Sequence, residues 1–345
     1  MAKRGTWSCG KVEMMELSLQ QIRLVTHGAV RVDMEAGTVR FHRFTKEQEE
    51  LYREKSYPSF YKRTFATAGV TLEFDTDSES LSLSLEIAPS CGYRWFTHSV
   101  FVDDKRIGEV AGFIPEDDTP AKAEGMFALG SGMKRVRIVF PWNEASQLRS
   151  LKLDDNSVVL PVGKRRTVLI FGDSITQGYT AWLPENSYAS RITRWLDAEG
   201  INKGIGGAGF WPELAQTKES IAPELVLIAY GANDWKVKTE AEFACEAEKF
   251  CLCICNSYPN ARIIVLTPIW MKTREEHQKD RWPFENLVWQ LKALEGKIDG
   301  LSVIDGTDLV PWDLACYAED RVHPNDIGFA CYAQALQMRL AEILE

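Results

Sequence analysis

The hydrophobic period of this chain changes near residue 160, and that change constrains the fold more than any other feature. From about Ala29 to Leu153 apolar and polar residues alternate, most plainly in Leu81–Ile87, which reads Leu-Ser-Leu-Ser-Leu-Glu-Ile. A period of two belongs to strands with one buried face. Val70–Phe74, Thr97–Val102, Arg106–Val110, Met133–Phe140 and Leu148–Leu153 are further candidate strands, with Asp103, Asp104 and Lys105 as a hairpin turn. Glu47–Arg53 reads as a short helix and Glu116–Ala123 as a polar loop. Short strands at regular spacing point to an antiparallel, all-β sandwich. Asn156–Arg166, holding Pro161 and Gly163, reads as a linker. Beyond it the apolar runs become continuous, at Val168–Phe171, Leu225–Tyr230, Ile263–Thr267 and Ser302–Asp305, with Ile201–Ile205 as a weaker fifth. Helical stretches separate them, and the last helix should run from about Ile327 to Leu344 behind an Asn325 or Asp326 cap. Such runs imply a parallel sheet covered on both faces. The expected division is a β-sandwich over residues 1–160 and an α/β domain over residues 161–345.

Composition narrows the function classes. At 345 residues the chain can bury two cores. A net charge of -9 without clustered Lys and Arg argues against a nucleic-acid partner. No apolar run reaches the ~20 residues needed to span a bilayer. Met1–Gln20 is charged and interrupted by Gly and Glu, unlike a signal peptide, so the cytoplasm is the expected location. Cys245, Cys251, Cys253 and Cys255 fall in one helical stretch, where alternate positions point in different directions and cannot converge on one metal. They read as small buried apolar residues in a reducing compartment. His42 and His98 sit in strand patterns as surface or core fillers, and His277 in a charged run as a solvated residue. Neither a metal nor a cofactor is expected, and the oligomeric state is not legible.

The chemistry gathers at strand ends, where open α/β sheets present ligand-binding groups. Phe171–Tyr179 reads Phe-Gly-Asp-Ser-Ile-Thr-Gln-Gly-Tyr, a strand feeding a glycine-flanked turn. Ser174 there is either a nucleophile or an ordinary helix cap. Gly204, Gly206 and Gly209 fit the dinucleotide fingerprint, but this copy follows the second strand of its unit and Trp211-Pro212 interrupts the helix start. Glycines also bring backbone N–H groups close to a ligand, which suits an oxyanion site. Asn233, in Gly231-Ala232-Asn233-Asp234, is either turn chemistry or a side-chain donor to developing negative charge. In Asp320-Arg321-Val322-His323-Pro324 a spacing of three lets carboxylate and imidazole share one side of a turn, and Pro324 keeps His323 out of helical geometry.

Taken in order, Gly172-Asp173-Ser174, Gly204–Gly207, Gly231–Asp234 and Asp320–His323 resemble the blocks of the SGNH, or GDSL-like, hydrolase superfamily. The resemblance covers about Thr167 to Glu345 and implies a flavodoxin-like α/β/α sandwich with a five-stranded parallel sheet. It further implies Ser174 as nucleophile, His323 as base and Asp320 as its orienting carboxylate. The oxyanion donors would be the Ser174 and Gly207 N–H groups and the Asn233 side chain. Ile175 replaces the Leu of Gly-Asp-Ser-Leu, a conservative apolar change. A sandwich preceding such a domain, jelly-roll-like, also resembles the two-domain carbohydrate esterases of the superfamily, some of which use a Ser-His dyad. The expectation is a serine esterase removing acyl, mainly acetyl, groups from a carbohydrate. An acyltransferase, a lipase- or thioesterase-like enzyme, and a carbohydrate-binding protein with an inactive hydrolase half are the alternatives. Asp173, Tyr179, Trp182, Trp211, Trp235 and Trp270 lie in or just beyond motifs or strand ends, placing them as candidates for substrate contact or for core packing. Met271–Phe284, charged and holding Trp282 and Pro283, reads as a lid.

Overall fold

A computed structural model describes residues 13–217, 219, 221–277 and 281–344. Two antiparallel sheets form first. One runs in the order Arg31–Glu35, Thr38–His42, Ala145–Asp154, Ser80–Ala88, Ala121–Ala128, with Met14–Glu16 added beside Ala145–Asp154. The other runs Val159–Pro161, Thr71–Thr76, Lys134–Val139, Trp95–Val102, Lys105–Phe113, with Thr26–His27 beside Thr71–Thr76. Leu81, Leu83, Leu85 and Ile87 from one sheet and Leu72, Phe74, Val136 and Ile138 from the other are fully buried between them. The alternation in Leu81–Ile87 therefore marked a true inner face. Asp103 and Asp104 both take positive φ, 46° and 66°, as a two-residue hairpin whose twist matches its strands requires.

Three expectations are corrected in this half. The segment Ala121–Ala128 is a strand paired along Ser80–Ala88, where the sequence read a polar loop up to Ala123. Its inward positions are Ala121, Ala123, Gly125 and Phe127, and such small residues carry almost no hydrophobic signal. The linker is not free either, because Val159–Pro161 pairs with Phe74–Thr76 and fastens it to the sandwich. Finally, helices Leu19–Val25 and Pro58–Thr64 join the expected one, which runs Lys46–Lys55 behind a Thr45/Gln48 capping box. Pro58 occupies the first helical position, where its missing N–H costs no hydrogen bond.

The second half forms a five-stranded parallel sheet in the order Ala198–Asn202, Arg166–Gly172, Leu225–Ala229, Arg262–Leu266, Leu301–Ile304. Val226 and Ile228 enter one core and Leu225 and Leu227 the other, so both faces are covered as the continuous runs require. The helices Glu240–Ser257 and Phe284–Ala293 lie over one face, Tyr188–Trp195 and Asp326–Leu344 over the other. Asn325 caps the last helix, its Oδ1 accepting from the Ile327 and Gly328 amides. The edge strand is Ala198–Asn202, three residues earlier than Ile201–Ile205. Glu199 and Gly200 disguise it, and Gly200 is needed because a Cβ there would lie 2.3 Å from a Thr193 methyl. Of the four helical cysteines only Cys251 is buried, and Cys245 is exposed, which corrects the reading of all four as core. Among the described residues no helix is long and apolar enough to cross a membrane. Residues 1–12, part of the stretch tested for a signal peptide, lie outside the described residues, as do the His277 side chain and 278–280 within Met271–Phe284.

The halves are locked together around one arginine. Arg43 is fully buried, and its guanidinium donates to Ala66 O at 2.5 Å, Asn202 O at 2.5 Å, Gly204 O at 3.0 Å and Arg63 O at 3.0 Å. Beside it Lys203 and Glu219 form an ion pair of 2.7 Å with no exposed side-chain surface, shared with the Gln48 amide. Trp142 reaches across as well, donating from its indole N–H to Ala181 O at 2.8 Å.

Candidate active site

Ser174 begins a helix of four residues, Ser174–Gln177, directly after the central strand Arg166–Gly172. Asp173, not Ser174, is the cap, its Oδ1 accepting from the Ile175 amide at 2.9 Å. The Ser174 hydroxyl is thus left for the cleft, and it lies 2.7 Å from His323 Nε2. The opposite ring nitrogen, Nδ1, lies 2.6 Å from Asp320 Oδ2. Asp320 Oδ1 meanwhile accepts from the Val322 and His323 amides at 2.9 and 3.0 Å. The tautomer consistent with this chain carries its proton on Nδ1 and leaves Nε2 to accept from the serine. Arg321 takes a positive φ of 57° to close the turn that puts Asp320 under the ring. Thr180 Oγ donates to Pro324 O at 2.8 Å and ties this turn to the serine loop.

Electrostatics separates the two acids. Burial pushes Asp173 up to about 6, only partly opposed by the Ile175 amide and the His323 charge. Burial also raises Asp320, but the hydrogen bonds from the His323 ring and the two amides outweigh it and hold that carboxyl at about 2. Asp320 therefore stays charged beside the imidazole at neutral pH.

Gly207 and Asn233 line the same cleft of about 240 Å³ as Ser174 and His323. Gly207 has φ +87°, a conformation that a side chain would strain, and a Cβ would sit 3.2 Å from the Phe60 ring. No hydrogen bond among the described residues uses the N–H of Ser174 or Gly207. The Asn233 amide donates one N–H to Ala208 O at 3.0 Å, and a primary amide keeps a second. Side chains cross-link these loops: Gln177 accepts from the Gly206 amide, Asn202 donates to Thr176 O, and Asp234 accepts from the Phe210 amide. The glycine-rich loop opens only a five-residue helix, Pro212–Gln216.

The aromatic candidates separate. Tyr179 lines the cleft and stacks on the His323 ring, centroids 5.7 Å apart. Trp182 is exposed outside it and stacks on Trp95 at 5.4 Å. Trp211 packs edge-on to Tyr52, Trp235 is buried against Phe284, and Trp270 is buried against Trp312 and Tyr317, so none of these three lines the cleft. Their strand-end positions were legible, but not the direction of each ring.

Residues 170–331 match the family described as GDSL-like Lipase/Acylhydrolase. The chain carries a GDSL-like lipase/acylhydrolase domain. No curated protein sequence matches it. Solved structures with the same two-part fold include a salicylyl-acyltransferase, SsfX3, from a tetracycline biosynthetic pathway, 18% identical with a TM-score of 0.81, covering 92% of this chain and 94% of that one. A GDSL-like lipase from Bacteroides ovatus is 19% identical, TM-score 0.75, with 96% and 98% covered. A family two carbohydrate esterase from Cellvibrio japonicus is 18% identical, TM-score 0.66, again with 96% and 98% covered. The arrangement of the GDSL-like domain behind antiparallel β-sheets is thus a recurring architecture.

The cleft of the GDSL-like domain contains residues that sequence reasoning missed. Arg63, from the helix Pro58–Thr64 of the first half, lines it, and its guanidinium donates to Gly206 O. Lys236 lines it one turn beyond Asn233 and forms no ion pair among the described residues. Tyr93, also from the first half, packs on Tyr179 at 5.5 Å. No motif announced Arg63 or Tyr93, which arrive through tertiary packing of a half whose pattern carried no chemistry, whereas Lys236 lies three residues beyond Asn233 on the helix Ala232–Val237. The histidines of that half differ from each other. His98 is buried with Nε2 2.5 Å from Ser146 Oγ, and burial lowers it to about 3. His42 bonds Glu49 at 2.7 Å and Glu35 at 3.2 Å, and its ring, Asp33 and Glu35 bring ligand-type atoms within 4.8 Å of one another. A hairpin creates that grouping, which spacing along the sequence could not reveal, and Arg31 and Arg40 already pair its two carboxylates.

Proposed function

We propose that the chain is a serine esterase that removes acyl, chiefly acetyl, groups from a carbohydrate, with Ser174 as nucleophile, His323 as base and Asp320 as the carboxylate that orients it. The observation that carries the reading is the unbroken run of hydrogen bonds, 2.6 Å from Asp320 to His323 and 2.7 Å from His323 to Ser174. A serine hydroxyl is a weak nucleophile until a partnered base takes its proton. His323 removes it as Oγ attacks the ester carbonyl, and the tetrahedral oxyanion settles among the N–H groups of Ser174 and Gly207 and the Asn233 amide. His323 then returns the proton to the leaving alcohol, and a water repeats the cycle on the acyl-serine. Asp320, held charged by its own hydrogen bonds, stabilises the imidazolium at both stages.

The acetyl-carbohydrate part is supported by the likeness to the structures of a family two carbohydrate esterase from Cellvibrio japonicus and of an acetyl xylan esterase from Butyrivibrio proteoclasticus. Tyr179 and Arg63 at the cleft, and the exposed Trp182 on Trp95 nearby in the chain, offer a ring face and donors suited to a sugar. The likeness to the salicylyl-acyltransferase favours a second reading, in which an alcohol rather than water takes the acyl group. Ser174→Ala should lose at least ~10³-fold in turnover of acetylated sugars and nitrophenyl acetate, and an organophosphonate should label the parent at Ser174. Unchanged turnover in the variant, or no adduct, overturns the nucleophile. Product analysis with an added alcohol separates hydrolysis from transfer.

A further inference from the structure

The described residues hold a cavity larger than the cleft at Ser174. It opens at the seam between the sandwich and the GDSL-like domain, with a volume of about 350 Å³, within the range of small-molecule sites. Its sandwich wall is the outer face of Thr71–Thr76 and Lys134–Val139, and its other wall is the helix Tyr188–Trp195 with the edge strand Ala198–Asn202.

Most charges around it are matched. Lys164 pairs with Glu73 at 2.5 Å, Arg135 with Asp75 at 2.9 Å, and Arg194 with Asp104. Arg137 is the exception. It is only 8% exposed, its guanidinium forms no hydrogen bond or ion pair among the described residues, and its Nε is buried without a partner. Its guanidinium carbon lies over the Phe101 ring, 4.1 Å from the centroid, a contact that supports the cation but accepts no hydrogen bond from its N–H groups. Glu73, its neighbour across the strand pair, is already taken by Lys164. Two more buried polar atoms on the cavity wall are unpartnered, Glu185 Oε2 and His27 Nε2. A buried Nε–H without an acceptor costs free energy, and a ligand that supplies one would recover it.

We propose that the seam cavity is a second binding site, for a monosaccharide-sized anion whose carboxylate or phosphate group sits on Arg137 and whose hydroxyls meet Glu185 and His27. Arg137 presents the planar fork that such groups match in pairs. Glu185 accepts from a hydroxyl, as a carboxylate with a free oxygen can, and the apolar stretch of Val139 and Ala189 leaves room for a ring. The site stands apart from Ser174 and holds whether or not that serine is a nucleophile.

The test is thermal unfolding of the full chain with glucuronate, glucose 6-phosphate and glucose, each at millimolar concentration, in a buffer without small anions. One or both anions should raise the melting temperature of the parent, and glucose should leave it unmoved; which anion acts identifies the charged group. Arg137→Met should abolish the shift while melting, without ligand, no lower than the parent, because removing an unpaired buried charge relieves its desolvation. Glu185→Gln should weaken the response at least threefold in apparent Kd. A parent that ignores both anions, a glucose response as large as theirs, an Arg137→Met response equal to the parent's, or a ligand-free Arg137→Met that melts well below it would each overturn the proposal.

Discussion

Two residues on neighbouring positions, Asp173 and Ser174, show how a single hydrogen bond decides a role. Serine is a good helix cap, and sequence alone favours that use. Here Asp173 takes the capping bond from Ile175, which leaves the serine hydroxyl 2.7 Å from His323 Nε2. Asn233 follows the same logic, since one N–H is spent on Ala208 O and the second remains for an oxyanion. On the proposed mechanism Asn233→Ala lowers kcat by ~10² to 10³ with KM changed less than threefold, as expected for a donor whose bond strengthens only in the transition state. Steady-state kinetics on nitrophenyl acetate measures it, and an unchanged kcat removes Asn233 from the oxyanion site. What the sequence revealed at this scale was chemistry that is local. Asp320 and His323 share a turn, and the serine block sits at one strand end. Arg63 was hidden because its relation to Ser174 is created only by packing, whereas the i, i+3 spacing of Asn233 and Lys236 on one helix was a local signal that went unread.

Among elements, the loop Asn202–Gly207 is the one whose shape depends most on others. Arg43 grips the carbonyls of Asn202 and Gly204, Asn202 reaches Thr176, and Gln177 holds the Gly206 amide. Arg43→Met leaves four carbonyls without their donor, so it should lower the melting temperature by several degrees and reduce kcat more than it raises KM, through displacement of Gly207. Arg43→Lys should recover little, because one ammonium cannot span four acceptors. Parallel assay of kcat, KM and unfolding checks this, and wild-type kinetics in either variant would mean that the loop holds itself. The elements that sequence read well were those with a strong period, Ser80–Ala88 and the three inner parallel strands. Ala121–Ala128 and Ala198–Asn202 escaped because alanine, glycine and one glutamate weaken the apolar pattern where a neighbouring side chain needs the space.

Over the whole molecule, a buried carboxyl makes stability depend on pH. Glu144, fully buried beside the seam tryptophan Trp142, accepts from the Ser90 amide while its other oxygen has no partner, and burial pushes it up to about 8. A carboxyl raised above its unfolded value folds in its neutral form, so its contribution is complete below about pH 4.5 and is lost as pH rises towards 8. Glu144→Gln should therefore melt above the parent at pH 8.5, by a margin that shrinks steadily towards pH 5; a gap independent of pH would show that Glu144 is not the group responsible. The two-layer plan of the chain was legible from its change of period, but the depth of the seam was not. Arg43, Trp142 and Glu144 all lie in stretches that read as ordinary sandwich.

The seam also has a consequence for the order in which the protein is made. The last sandwich strand, Val159–Pro161, leaves the ribosome about 40 residues before Asn202, roughly 2 to 8 seconds at common rates of synthesis. During that interval Arg43 has Ala66 and Arg63 to hold but neither Asn202 nor Gly204, and the faces later covered by Tyr179 and Ala181 are open to water. The nascent sandwich thus waits as an unfinished template, sticky on one side, on which the second half arrives and closes.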